Sequence, residues 1–329
     1  VERTLVSDKQ WVIEQEDEGQ RLDKLVARKS GLSRAEVKRL FEEKRVKIGR
    51  NIASKGDVAR AGGTLVVSLI EGPEAAIPEE APSIPLRVLL ERDDVVVVDK
   101  PAGQPTAPLR VGETGTLANA LAGRYPEMRS LGANPKEPGL IHRLDNDTSG
   151  VLVAARTRKA YDALVEALRE GRLQKLYLAV CHDLDGALPD QGSIEIPLAP
   201  HPKDRRRVLA CLHPRDVERL APRPATTHYE VKRRHGDLAL LELKAPRALR
   251  HQIRAHLAAI RCPLVGDVLY GAPPREELGR HALHASSVVW GGSAAVPAFT
   301  VLSPLPSELE RLLLTPGPSP SPAERGGEG

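Results

Sequence analysis

Aromatic side chains are scarce in this chain, with two Trp, five Tyr and two Phe among 329 residues. No Tyr or Trp stands between residues 12 and 124, and Phe41 falls at a core-like position. An N-terminal region that stacks bases on aromatic platforms is therefore excluded. Cysteine is scarce as well. Cys181, Cys211 and Cys262 are odd in number, far apart and at no zinc-ligand spacing, so neither a disulfide framework nor a structural zinc site can be drawn. The expected compartment is the reducing cytoplasm. His281-Ala-Leu-His284 has no Cys or Glu partner at ligand spacing, and no metal is expected there. No apolar run approaches the ~18 residues of a membrane helix. The opening Val1-Glu2-Arg3 shows no apolar signal region.

What is present is a globular composition, 41% hydrophobic and 28% charged, in a chain long enough for two domains. The net charge of +4 is unevenly placed. Residues 20–60 hold thirteen Lys/Arg against five Asp/Glu, the electrostatic pattern of a nucleic-acid-binding module. Within that stretch Leu22, Leu25 and Val26 fall on one helical face, and Gly31 is placed to end the helix. Ser33 and Glu36 read as a capping box opening a second helix, whose inner face is Val37, Leu40 and Phe41. Val46-Lys47-Ile48, a turn at 49–51 and residues 64–69 read as strands of a small sheet. Residues 71–85, rich in Pro and Glu, read as a semi-rigid linker, and 315–329 as a disordered tail. The expected division is 1–71, a linker at 72–85, a larger domain at 86–314, and the tail.

In the larger domain, Val95–98 is a four-Val run that stops at a proline. Thr157 opens an amphipathic helix closed by Gly171. Strands are expected at 174–181, 193–196, 226–232, 238–244 and 284–290. Strands outnumber helices without regular alternation, so the fold class is α+β with a mixed, mostly antiparallel sheet and flanking helices.

The densest chemistry lies at 139–150, Gly-Leu-Ile-His-Arg-Leu-Asp-Asn-Asp-Thr-Ser-Gly. An apolar approach opens into a polar turn, and Val151-Leu152-Val153 resumes as a strand. Such a mount holds a loop side chain at one angle. Turn chemistry alone also accounts for Asp, Asn, Ser and Gly in such a loop.

His142-Arg143-Leu144-Asp145, two free positions and Thr148-Ser149-Gly150 resemble the signature of the RluA-type pseudouridine synthases. The resemblance makes Asp145 the catalytic carboxylate; Asp147 occupies a free position. Lys100-Pro101-Ala102-Gly103 resembles the family's first motif, though Ala107-Pro108 replaces its usual His-Pro. Lys175-Leu176-Tyr177-Leu178-Ala179 resembles the segment that supplies an active-site tyrosine, here Tyr177. His251-Gln252-Ile253-Arg254 with His256-Leu257 resembles the stretch whose arginine pairs with the aspartate, here Arg254. Pro263–Asp267, Tyr270-Gly271, Leu283-His284-Ala285 and 303–306 continue the match over about residues 86–306. Ala248-Leu249-Arg250 departs from a usual Gly-Arg, and a lost glycine would remove a permissive backbone position. Arg21-Leu22-Asp23-Lys24 and Leu32-Ser33-Arg34 resemble the opening of an S4-type RNA-binding domain.

The resemblance implies an RNA-modifying isomerase that breaks a glycosidic carbon–nitrogen bond, turns the uracil and rejoins it through a ring carbon. Nothing is oxidised or hydrolysed, so neither cofactor nor metal is required. Burial disfavours a carboxylate's charge and a neighbouring guanidinium restores it, the task assigned to Arg254. Asp145 is left to act either by addition to the sugar or by a glycal-forming elimination. Tyr177 is expected against the uracil, serving in proton transfer. His142, Arg143, Lys100, His251 and Gln252 are counted toward RNA, with Arg143 refilling the stack when the target base is extruded. Arg21, Arg34 and Lys38 are expected on phosphates of the small domain's RNA. The expected partner is large-subunit ribosomal RNA, with transfer RNA as the alternative, and the chain acting as a monomer away from membranes. The rival readings are a binding-only ribosome-assembly factor and a two-carboxylate glycosidase using Asp147.

Overall fold

A computed structural model describes residues 6–30, 32, 34–70, 77–110, 112–132, 134–184 and 186–314. The chain folds as two units that divide between Ala76 and Ile77. Gly31, Ser33 and the tail at 315–329, which carried the helix end, the capping box and the disorder expected above, lie outside the described residues.

The smaller unit holds β1 (Val6–Val12), α1 (Leu22–Ser30), α2 (Arg34–Glu42), β2 (Val46–Ile48), β3 (Asn51–Ile52) and β4 (Thr64–Ile70). Its four strands pair antiparallel in the order β1-β4-β2-β3. Leu22, Leu25 and Val26 of α1 meet Val37, Leu40 and Phe41 of α2 over Val46, Leu65 and Val67 of the sheet. For the six helix residues this is the inward face that apolar spacing predicts. β1 was not expected, because Asp8, Lys9 and Gln10 break any two-residue alternation; its pairing with β4 is carried by backbone along an exposed edge.

In the larger unit the elements are β5 (Val88–Glu91), β6 (Val95–Lys100), α3 (Leu117–Arg124), β7 (Ser149–Ala155), α4 (Arg158–Glu170), β8 (Gln174–His182) and β9 (Gln191–Ile194). There follow β10 (Leu198–Pro200), β11 (Val208–Ala210), α5 (Pro214–Leu220), β12 (Thr227–His235), β13 (Leu238–Lys244), α6 (Gln252–Ala259), β14 (Leu283–Trp290), β15 (Phe299–Leu302) and α7 (Ser307–Arg311). A nine-stranded sheet runs β5-β6-β7-β14-β8-β13-β12-β9, with β15 on β14. Every pair is antiparallel except β7 with β14, so the sheet is mixed and mostly antiparallel. The fold class is α+β.

The four-Val run explains the layering. Val96 and Val98 face one core with Leu117 and Leu121 of α3 and Ile253 and Leu257 of α6. Val95 and Val97 face the other, with Ala160 and Leu164 of α4 and Trp290 of β14. A strand buried on both faces reads as a continuous apolar run. α4 begins where expected, Thr157 Oγ1 accepting from the Ala160 amide at 3.2 Å, and ends at Gly171 in the left-handed conformation (φ 76°).

The expected linker does not run free to residue 85. Glu79 O accepts from Asn119 Nδ2 at 2.8 Å, and the Ala81 amide donates to Asn119 O at 3.1 Å. Pro82 lies so close to α3 that a Cβ on Gly123 would stand 2.7 Å from its nitrogen. Residues 77–85 therefore pack on α3 by backbone contacts that a Pro- and Glu-rich composition does not reveal.

Candidate active site

The polar turn between Ile141 and β7 is fixed residue by residue from below. Thr106 Oγ1 donates to Leu144 O at 2.7 Å. Lys100 Nζ and the Gly103 amide both donate to Asn146 O, at 2.8 and 2.9 Å. Arg280 Nη1 donates to Asp147 O at 3.1 Å. Thr148 Oγ1 pairs with His281 Nε2 at 2.8 Å, and Ser149 Oγ with His284 Nδ1 at 2.9 Å. The Thr148 amide closes the turn on Asp145 O at 3.1 Å. Gly150 lets the turn enter β7 against β14, since a Cβ there would stand 2.1 Å from Ala285 O. With this backbone held, the Asp145 carboxylate projects from the turn, its side chain 24% exposed.

Arg254 Nη1 meets that carboxylate at 3.1 Å. The guanidinium is itself gripped by Asp267, Nε and Nη2 each 2.8 Å from one carboxylate oxygen. Arg254 is a helix residue, but a buried one at 7% exposure. Burial works against its charge, and the two carboxylates outweigh that effect and hold its pKa above the ordinary arginine value. A bidentate carboxylate behind the arginine locks the fork's direction, so the remaining nitrogen is aimed at Asp145 before any substrate arrives.

His251 stands on the same carboxylate, Nε2 3.8 Å from Asp145 Oδ2. Its Nδ1 is 3.1 Å from the Tyr270 hydroxyl, and the Tyr270 ring lies 5.1 Å from the Arg254 guanidinium carbon. Burial lowers the His251 pKa; Asp145 opposes this and Arg254 adds to it. His251 also takes the left-handed backbone conformation (φ 53°) as it caps α6. Histidine is enriched in that region, and none of Ala248, Leu249 and Arg250, where the usual Gly-Arg is replaced, takes a positive φ.

Tyr177 lies in β8, opposite Leu243 and Ala285, and is 5% exposed. It belongs to the apolar cluster containing Leu144 and Ile253, the residues immediately before Asp145 and Arg254. Among the described residues its hydroxyl has no hydrogen-bond partner, and it is not one of the buried unpartnered atoms.

Three residues counted toward RNA, Lys100, Gln252 and His142, are placed otherwise. Lys100 is fully buried, donating to Pro101 O and Gln104 O as well as Asn146 O. Burial pulls its pKa down to about 8 against the opposing charges of Asp147 and Asp145. It braces the turn and does not reach RNA. Gln252 is interior too, its amide donating to Thr226 O at 2.8 Å and Thr227 Oγ1 at 3.1 Å while its oxygen accepts from the Leu249 amide. His142 accepts from the Val153 amide at 3.2 Å, and its Nδ1 is buried without a partner. Burial holds its pKa well below the ordinary value. A neutral ring locked to the strand is not a phosphate contact. Arg34 opens α2, and its side chain lies outside the described residues.

Arg143 is exposed, paired with Glu137 at 2.9 Å. On the smaller unit exposed Arg21 pairs with half-buried Asp23 at 3.0 Å, and Lys38 with Glu42 at 3.4 Å on the surface. Lys44, Lys47 and Arg50, around β2 and β3, are exposed and make no ion pair among the described residues. Asp267 and Tyr270 stand in the matching motifs, but the sequence alone assigns neither a role. Burial supplies the signal: an arginine buried beside a single carboxylate needs a second acceptor for its remaining donors.

The family model for RNA pseudouridylate synthases matches residues 94–259. The chain belongs to this family. It is 37% identical over 271 residues to the ribosomal large subunit pseudouridine synthase D of Xanthomonas campestris pv. campestris, covering 78% of this chain and 76% of that protein. The Haemophilus influenzae protein of the same name is 30% identical over 315 residues, 92% of each chain. Human RNA Pseudouridylate Synthase Domain Containing 4 shares the fold, with a TM-score of 0.52 at 23% identity over 70% of this chain and 95% of that one. The chain is therefore a pseudouridine synthase, an isomerase. No helix among the described residues is long and apolar enough to cross a membrane.

Proposed function

We propose that the chain converts uridine to pseudouridine in large-subunit ribosomal RNA, with Asp145 as the catalytic carboxylate, Arg254 holding it and Tyr177 serving the base. The observation that carries this reading is the 3.1 Å contact between Asp145 and an arginine already gripped by Asp267. The reaction breaks the N1–C1′ bond, turns the uracil, forms C5–C1′, and moves one proton from C5 to solvent while N1 gains one. A fixed carboxylate beside the sugar can add to C1′ or promote elimination toward a glycal, and either course uses the same placement. Tyr177, with an apolar ring and an open hydroxyl, suits a uracil face and a proton transfer beside it.

The target class is argued from the relatives, which carry the ribosomal large-subunit name over most of both chains. The smaller unit, whose exposed bases surround two short helices and a small sheet, is taken as an S4-type module that meets RNA by its phosphates. All three catalytic side chains come from one unit of one chain, which suits action as a monomer. Three buried free thiols suit the reducing cytoplasm.

The test is tritium release from RNA labelled at uridine C5, comparing unmodified large-subunit ribosomal RNA with transfer RNA transcripts. Release from the ribosomal RNA is expected. Release confined to transfer RNA would move the target, and release from neither would leave a binding-only protein.

A further inference from the structure

Beside the site, the turn between β10 and β11 carries Lys203, Arg205, Arg206 and Arg207 around a single acid, Asp204. Two of these bases are occupied. Arg206 is bidentate to Asp204, both contacts at 3.0 Å, and Arg207 is half-buried against His201 Nε2 at 2.9 Å. Lys203 and Arg205 are exposed and have no partner among the described residues.

The turn is tied to the segments on either side of α6. The Val208 amide donates to the Tyr270 hydroxyl at 2.9 Å, and that hydroxyl also meets His251. Arg250 spreads its guanidinium over two turn carbonyls, Nη1 to Arg205 O at 3.0 Å and Nη2 to Arg206 O at 2.8 Å. Arg250 belongs to the Ala248-Leu249-Arg250 stretch that departs from the family's usual pattern. Its donors face the turn backbone. Fixing the backbone at Arg205 and Arg206 fixes where the Arg205 side chain leaves the turn, and the same turn reaches His251 through the Tyr270 hydroxyl.

We propose that Lys203 and Arg205 form a phosphate-binding arm for the RNA strand flanking the target uridine, and that Arg250 is a positioning residue which holds this arm through Arg205 O and Arg206 O. The assignment rests on the RNA reading above. A preset pair of cations on a turn tied to the site through Tyr270 would fix phosphates flanking the extruded nucleotide without reading its sequence. It also loses less conformational freedom on binding than an untethered arginine turn.

The test uses the full chain and an unmodified large-subunit ribosomal RNA transcript, measuring affinity across a salt series with tritium release read in parallel. Lys203→Ala/Arg205→Ala is expected to weaken binding about tenfold or more and to make the plot of log affinity against log salt shallower by about 2. Arg250→Ala is expected to shift the same slope in the same direction and to speed amide exchange at 205–208. Arg250→Lys is the discriminating variant. A lysine keeps the charge but lacks the planar fork that sets a separate nitrogen on each of the two carbonyls, so it should behave like Arg250→Ala. Wild-type binding restored by Arg250→Lys would make Arg250 a simple charge contact and overturn its positioning role. An unchanged affinity and salt slope in the Lys203→Ala/Arg205→Ala protein would overturn the arm, even while wild-type tritium release upheld the isomerase reading. Failure of that release with salt-dependent binding intact would overturn the isomerase reading and leave the arm standing.

Discussion

Arg254 divides one guanidinium between two carboxylates, Asp267 taking Nε and Nη2 at 2.8 Å each and Asp145 taking Nη1 at 3.1 Å. Asp267 is 2% exposed and has no route to substrate except through the arginine. Its effect on Asp145 is therefore one of aim. Asp267→Asn keeps the shape and removes the charge, leaving a buried arginine with one carboxylate in place of two. The expected results are a loss of about 3 kcal/mol in stability and about a 100-fold fall in kcat. Urea unfolding and single-turnover tritium release measure the two; a stable variant with normal kcat would show that Asp267 does not aim the arginine.

Tyr177 separates chemistry from folding. Its ring is packed in the core while its hydroxyl has no partner among the described residues. Tyr177→Phe should leave stability within about 0.5 kcal/mol, as substitutions that break no interaction do. Activity should fall by about 100-fold or more if the phenol moves a proton. A drop in melting temperature with kcat preserved would reverse the assignment.

Acid should weaken the fold through its histidines. His142, His182, His251, His256, His281 and His284 are all held below the ordinary imidazole value by burial, His281 pushed down to about 2. For each, the unfolded chain binds a proton below pH 6.5 that the folded chain refuses. Their contribution is complete above pH 6.5 and is lost as pH falls through the window below it. For His281 alone the loss between pH 6.5 and 4.5 is about 2–3 kcal/mol. Unfolding free energies at pH 7.5, 6.5 and 5.5 should decline steeply, and His281→Gln should decline less. Identical slopes in the two proteins would contradict the burial argument.

Arg143 is exposed and held only by Glu137, free to leave that pair for RNA. It stands two residues before Asp145, and its proposed role is to occupy the gap left by an extruded nucleotide. Arg143→Ala should then impair modification of structured RNA far more than of an unstructured oligonucleotide. Equal loss on both substrates would argue for a plain charge contact.

The pair at the centre of the site was legible from the chain because Asp145 and Arg254 each stand in a dense, spaced motif. The four-Val strand and α4 were legible because apolar period and caps speak directly of local structure. Lys100 and Gln252 were misread for one shared reason. A polar residue in a functional motif suggests contact with the ligand, whereas both spend their donors on acceptors inside the protein. α3 escaped notice because six of its eight residues are buried, leaving no polar stripe to reveal a helix. Residues 77–85 read as linker since backbone hydrogen bonds to Asn119 leave no trace in composition. Asp267 lacked a role until burial showed how many donors Arg254 had to satisfy.

The most direct measurement is single-turnover tritium release from C5-labelled ribosomal RNA by the wild type and Asp145→Asn side by side, with RNA affinity measured for both. Asparagine fills the same space and still accepts from Arg254, so binding should survive while release falls to background. Release by Asp145→Asn at a rate near that of the wild type would show that the carboxylate beside Arg254 is not the one that acts.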